Sequence, residues 1–264
     1  MLKKLDSSYS KELMALVSTE KELNLFIIGD IERYGFDQPF LEYWGQFEED
    51  ELVGVAMRYH DGFTVYTKES SQIDVTGVME IMKAYDIETL AGGKRILDQF
   101  RAIATYGLMR DTYFAKLDHQ DKLVMNDAIT LVKEITVDDI EPLQVLLETQ
   151  IEEFTNVEDV QRKAQGYKDG AKRGYHIKTA DGMVVASAET AAENSQSAMI
   201  VAVATHPDYR HKGYATAVMT KLCGTLLDEN RSLCLFYDNP KAGEIYKRIG
   251  FEDIDIWTMW RLKG

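Results

Sequence analysis

The sequence predicts a mixed α+β protein, with a mixed sheet, built as two tandem units over residues 1–124 and 125–264. Three observations carry this. Strand-length apolar runs alternate with stretches of helical periodicity along the whole chain. The same order of elements occurs twice. The copies join near Lys122–Ala128, where the sequence L-D-H-Q-D-K turns polar, as a junction between packed units does.

In the first unit, Ser10–Leu16 and Glu20–Tyr34 read as helices. Leu41–Phe47 and Leu52–Tyr59 read as a hairpin around the acidic turn Glu48-Glu49-Asp50-Glu51, with Phe63–Thr67 as a third strand. A helix over Val75–Ala84, a short strand over Glu88–Ala91, a helix over Lys94–Thr105 and an alternating strand over Arg110–Leu117 complete it. In the second unit, a strand is predicted over Ile129–Ile135. Thr136, Asp138 and Asp139 then start a helix that buries Leu143, Leu146 and Leu147. A further helix runs over Val157–Asp169, with Gly170 to end it. Gly174–Thr179 and Met183–Ala191 are strands joined by Asp181-Gly182, a strong hairpin signal. The apolar run Met199–Ala204 is a buried strand, and Ala215, Val218, Met219, Leu222 and Leu226 share one face of the helix that follows. Ser232–Tyr237 is a strand. Asp238 or Asn239 caps the next helix, Pro240 suits its first position and Gly250 its end. Ile254–Trp260 alternates as a closing strand.

The most informative stretch is Val203–Ala215, V-A-T-H-P-D-Y-R-H-K-G-Y-A. A strand feeding a glycine-containing loop and then a helix N-terminus presents unpaired backbone N–H groups, a ready anion site. Gly213 removes a side chain where a phosphate needs close backbone approach, and Ala215 keeps the first turn small. Arg210-His211-Lys212-Gly213-Tyr214-Ala215 resembles the R-x-x-G-x-A pyrophosphate signature of the GCN5-related N-acetyltransferases. Downstream, N-x-x-A-x-x-x-Y-x-x-x-G-F, carried by Asn239, Ala242, Tyr246, Gly250 and Phe251, resembles a second hallmark of that family.

The resemblance covers roughly residues 127–264. It implies two tandem acyl-CoA N-acyltransferase-like domains, the second catalytic, with acetyl-CoA as co-substrate and no metal. It implies that amides from His211 through Lys212, Gly213, Tyr214 and Ala215 to Thr216 hold the pyrophosphate. Main-chain groups of Val203, Ala204 and Thr205 would pair with pantetheine, as an added strand pairs with a sheet edge. An N–H near Val203 would meet the developing oxyanion. Arg210 shapes the loop or contacts phosphate. Asn239 and Tyr246 face the cofactor thiol; Tyr246 is the candidate acid, or else a helix aromatic filling the core. Some members carry a Glu eleven residues before the pyrophosphate motif, where this chain has Met199. The base must then come from elsewhere: Glu189, the residue chosen here, or Glu193, Glu152, Glu153 or a water chain.

The first unit carries Glu69-Ser70-Ser71-Gln72-Ile73-Asp74 where the pyrophosphate loop would be. It has no glycine and two acids, so the unit reads as a degenerate copy without cofactor. Gly92-Gly93 reads as a tight strand-to-helix turn. The net charge of −14 is shared by both halves, −8 up to residue 124 and −6 beyond it, which argues against nucleic acid as a partner. The two cysteines, Cys223 and Cys234, suit neither a disulfide framework nor a zinc site. No apolar run approaches a membrane span, and the start of the chain lacks a signal-peptide core. The expectation is a cytoplasmic enzyme acting on a primary amine of a small molecule or peptide. A related acyl or aminoacyl transferase, and a non-enzymatic acyl-CoA or metabolite sensor, remain as alternatives.

Overall fold

The computed structural model describes residues 2–103, 107–151 and 158–262. By contact it divides into two units. Unit 1 holds the chain through Ala115 together with Phe236–Asp238 and the segment from Asp253 onward; unit 2 holds Lys116–Leu235 and Asn239–Glu252. This differs from a single cut near residue 124, because the end of the chain returns to the first unit.

Unit 1 contains β1 (Leu2–Lys4), α1 (Ser10–Val17), α2 (Leu25–Tyr34), β2 (Leu41–Glu48), β3 (Glu51–Tyr59) and β4 (Gly62–Thr67). It continues with α3 (Val75–Ala84), β5 (Thr89–Gly93), α4 (Lys94–Leu97) and β6 (Leu108–Leu117). Glu49 and Asp50 both adopt positive φ, 48° and 69°, the backbone that closes a two-residue hairpin with the twist of its strands. The core gathers Leu13, Ile27, Val55, Phe63, Leu90 and Trp260. Trp260 comes from the last strand of the chain, β12 (Glu252–Arg261), which pairs antiparallel with β5 from Trp257↔Gly93 to Arg261↔Thr89. The sheet order here is β1-β2-β3-β4-β5-β12-β6. The alternating tail is therefore a strand, but it closes unit 1. The indole of Trp257 stacks beside Phe26, Phe114 and Phe236 at 5.5–6.1 Å, which gives the tail an apolar reason to lie there.

Unit 2 contains β7 (Lys133–Glu134), α5 (Ile140–Gln150), α6 (Val160–Lys168), β8 (Gly174–Lys178), β9 (Val184–Ala191), β10 (Ser197–Thr205), α7 (Tyr214–Asp228), most of β11 (Ser232–Tyr237) and α8 (Pro240–Arg248). The sheet order is β11-β10-β9-β8-β7, with β10 and β11 parallel and the other pairs antiparallel. Thr136 and Asp139 form a capping box ahead of α5, and Leu143, Leu146 and Leu147 are buried beneath it.

Local hydrogen bonding shortens several expected elements. The strand expected over Ile129–Ile135 is a 3-10 turn over Asp127–Leu131 followed by the two residues of β7; Asn126 Oδ1 accepts from the Ala128 N–H and holds the turn. The helix expected over Glu20–Tyr34 begins only at Leu25. Asn24 Nδ2 donates to the carbonyls of Val17 and Glu20 and closes the preceding turns. The helix expected from Lys94 tightens to a 3-10 turn at Asp98–Phe100, which buries Phe100; the end placed at Thr105 lies outside the described residues. α6 starts at Val160 behind the Asp159 cap; Val157 is likewise not described. Gly92 belongs to β5, and a Cβ there would meet Leu97 Cδ2 at 2.7 Å and the Val65 carbonyl at 2.8 Å.

Candidate functional site

The site is assembled in unit 2 around β10. β10 pairs with β11 only from Ser197↔Ser232 to Met199↔Cys234, although β10 runs on to Thr205. Beyond Met199 its other neighbour, β9, stays paired, but the register jumps between Val201 and Ala204. Ala202 and Val203 together oppose the single residue Ala188, which is a bulge, and Ala202 takes φ +51°. From Ile200 onward one edge of β10 is thus released from its parallel partner, next to Val203, Ala204 and Thr205. The Thr205 hydroxyl is buried without a hydrogen-bond partner among the described residues.

The loop after β10 is held from within. His206 Nδ1 accepts from the Asp208 N–H at 3.2 Å, and Arg210 Nε donates to the Thr205 carbonyl at 3.3 Å. Arg210 therefore ties the base of the loop. His211 and Gly213 adopt φ +62° and +75°. Gly213 is the N-cap of α7, a helix of 15 residues, and supplies no side-chain cap; the first turn carries no acidic residue. The first-turn amides of Tyr214, Ala215 and Thr216 are left to a ligand or water. Lys212 Nζ lies over the Tyr209 ring at 4.5 Å, so the loop carries a second cation beside Arg210. An orphaned hydroxyl, a released strand edge and an uncapped helix start fit the elongated, phosphate-bearing acyl-CoA expected from the motif.

Asn239 caps α8, its Oδ1 accepting from the Lys241 N–H at 3.0 Å, which leaves its amide Nδ2 as the group it can offer. Tyr246 lies on α8, 9% exposed, with its ring edge-on to Phe251 at 6.2 Å. Burial pushes its phenol up to about 12, so it stays a proton donor at neutral pH.

Glu189 faces Val201 across the β9–β10 ladder. Its two oxygens are engaged: Lys163 Nζ donates to Oε1 at 3.0 Å and the Tyr167 hydroxyl to Oε2 at 3.0 Å. The Lys163 and Glu189 side chains are 4% and 2% exposed. Glu189 is thus a buried ion-paired carboxylate rather than an open one. Burial and the Glu189 charge push the Tyr167 phenol far up, so it remains a donor. Glu193 is held by Arg173 and Arg231, each at 2.7 Å. Glu152 and Glu153 lie outside the described residues.

A family model described as GNAT acetyltransferase matches residues 102–260, more than half of the chain. The chain belongs to the GNAT acetyltransferase family. Its fold is shared with a Drosophila protein (TM-score 0.72, 10% identity, 98% of each chain covered). It is shared with a GCN5-related N-acetyltransferase from Sphaerobacter thermophilus (0.65, 12%, covering 99% of this chain and 94% of that one). A tandem GNAT protein from the clavulanic acid biosynthesis pathway also matches, at TM-score 0.62 and 16% identity, over 98% of this chain and 97% of that one. At these identities the likeness speaks to the tandem GNAT fold alone. No curated protein matches the sequence. Among the described residues, no three His, Cys, Asp or Glu side chains come together to hold a metal. No described helix is long and apolar enough to cross a membrane.

Four residues around the candidate site, Lys163, Tyr167, Ser187 and Asn126, are absent from the sequence reading. Lys163 and Tyr167 sit four apart on a helix, a spacing that puts both on one face, but nothing local says that the face is buried against a carboxylate. Ser187 is one serine in a strand. Asn126 Nδ2 donates to the Gly213 carbonyl at 3.1 Å, and a Cβ on Gly213 would meet that nitrogen at 2.8 Å. Gly213 is therefore required by its backbone conformation and by Asn126. The sequence could have offered only a turn-type asparagine far from the motif.

Proposed function

We propose that this protein is an acetyl-CoA-dependent N-acetyltransferase that transfers the acetyl group directly, in a ternary complex, to a primary amine of a small molecule or peptide. The observation that carries the reading is the parting of β10 from β11 after Met199, on the strand that leads into the uncapped α7. Bound acetyl-CoA supplies an acyl group already activated as a thioester. The rest falls to this chain. The amides of His211, Lys212, Gly213, Tyr214, Ala215 and Thr216 receive the pyrophosphate, with no first-turn carboxylate to oppose it. Val203, Ala204 and Thr205 pair through their main chain with the pantetheine arm, and the Thr205 hydroxyl gains the partner it lacks. Asn239 contributes its Nδ2. The Val203 N–H is the donor assigned to the charge that develops on the acyl oxygen. Tyr246 holds at its hydroxyl the proton that the departing sulfur takes up. Glu189 is the group assigned to take the acceptor's proton, which requires the incoming amine to displace the Tyr167 hydroxyl from Oε2 while Lys163 stays on Oε1. Unit 1 is assigned no donor of its own, because Asp74 occupies the corresponding helix start.

The test has two stages. Calorimetry should find one acetyl-CoA per chain. A panel of free amines, polyamines, aminoglycosides and peptides, followed by thiol release, should then reveal an acceptor. Absence of acetyl-CoA binding would overturn the proposal. Tight binding with no turnover on any amine would favour a sensor of acyl-CoA, and preference for another acyl donor would favour a related acyltransferase.

A further inference from the structure

The bulge in β10 carries a second observation. A bulge leaves backbone groups without ladder partners, and here it holds Ala202 at φ +51°, where a Cβ is unfavourable. One side chain compensates. Ser187, opposite Ala204 on β9 and 0% exposed, donates its hydroxyl to the Ala202 carbonyl at 2.9 Å. The bond has a directional consequence. The Ala202 carbonyl and the Val203 N–H belong to one planar trans peptide and point in opposite directions. Drawing the carbonyl toward the Ser187 hydroxyl turns the Val203 N–H away from that hydroxyl, on a stretch of β10 that β11 no longer covers.

We propose that Ser187 is a positioning residue of the acyl-donor site: by holding the Ala202 carbonyl it aims the Val203 N–H at the acyl oxygen. This rests on the acetyltransferase reading above. A serine hydroxyl does here what a neighbouring backbone N–H does in a regular ladder. It also holds the bulge in place without ligand, so the donor N–H need not reorganise during the reaction.

The test uses the full chain and three variants. Ser187→Ala removes the pin. Ser187→Thr keeps the hydroxyl. Ser187→Ala combined with Ala202→Gly removes the pin but also the cost of positive φ. With acetyl-CoA and an acceptor, Ser187→Ala should lower the single-turnover rate by about 10- to 100-fold, since one oxyanion donor is misaimed. Its acetyl-CoA affinity should stay within about threefold, because the aimed N–H matters most in the transition state. Ser187→Thr should behave as wild type, and the double variant should recover at least part of the lost rate. A Ser187→Ala rate equal to wild type overturns the proposal. So does a parallel loss of rate, affinity and melting temperature, which marks a merely structural serine. Amide hydrogen exchange over residues 201–204 gives a readout that needs no acceptor. Ser187→Ala should speed it at the ladder residues that flank the bulge, and unchanged exchange there overturns the proposal even if acetyl-CoA proves not to be the ligand. Failure of the wild type to bind acetyl-CoA, with exchange over residues 201–204 still dependent on Ser187, would sink the acetyltransferase reading and keep the pin.

Discussion

Two helices follow the middle strands of the two units, and their first turns are opposites. In unit 1, α3 begins at Asp74, whose Oδ1 accepts from the Gly77 N–H at 2.9 Å. In unit 2, α7 begins at Gly213, with φ +75°, no side-chain cap and no acid in its first turn. Each helix N-terminus carries partial positive charge and four orphan donors. One unit satisfies one of them with its own carboxylate; the other offers no side chain to any. Both interiors also bury polar groups, Asn24, Gln46 and Arg58 in unit 1 and Lys163, Glu189, Ser187 and His176 in unit 2, which cost free energy unless partnered. The difference between the units therefore lies at the two helix starts rather than in the polarity of their interiors.

The largest expected effect is at Tyr246. Tyr246→Phe keeps the ring that packs on Phe251 and removes the donor, so single-turnover transfer should fall on the order of 10²- to 10³-fold with acetyl-CoA affinity nearly unchanged. Wild-type single-turnover rates would return Tyr246 to the core. Next comes the buried pair. Lys163→Met leaves Glu189 without its cation, and removing one partner of a buried pair costs about 3–5 kcal/mol; denaturant unfolding should register it. A shift below about 1 kcal/mol in that experiment would mean that the pair is not closed in solution.

Thr216→Glu would place an acid within the first turn of α7, three residues inside the cap position that Asp74 holds in α3. An acid near a helix N-terminus stabilises the helix by about 0.3–1 kcal/mol, yet it should repel a pyrophosphate. The variant should unfold no earlier than wild type and bind acetyl-CoA about tenfold or more weakly, by the same electrostatics read as affinity. Unchanged affinity would remove the α7 start from the site. The mirror change, Asp74→Ala, should cost about 1 kcal/mol of stability and leave acetyl-CoA binding alone. A change in binding would show that unit 1 takes part.

The gentlest test is by pH. Burial raises the Asp30 carboxyl on α2 to about 7, partly offset by Arg33. Its folded value lies above its unfolded value, so the folded chain holds a proton that the unfolded chain has lost. The contribution is complete below about pH 4 and disappears as pH rises through 7. Asp30→Asn should flatten the stability profile in that window, measured by urea melts; a persistent slope of the same size would assign it to another group.

Much of this was legible in the chain itself. The R-x-x-G-x-A run, the continuous apolar strand before it and the periodic helix after it predicted the loop between β10 and α7, because apolar runs and helix periods are local properties. Asn239, Pro240 and Gly250 predicted both ends of α8 for the same reason. The two acids and missing glycine of Glu69–Asp74 set that loop apart from the R-x-x-G-x-A run, but the Asp74 cap on α3 was not read from them. Tertiary structure decided the rest. Alternation showed that Ile254–Trp260 is a strand, but only the apolar surface offered by β5, Phe26 and Phe114 could decide that it pairs in unit 1. The acidic character of Glu189 was plain, but its closure by Lys163 and Tyr167 depends on α6 packing over β9. The hydroxyl of Ser187 acquires its meaning only where β10 gains one residue against β9. Sequence fixes what a residue can donate or accept; which partner receives it is set by long-range packing, whose energy no local window contains.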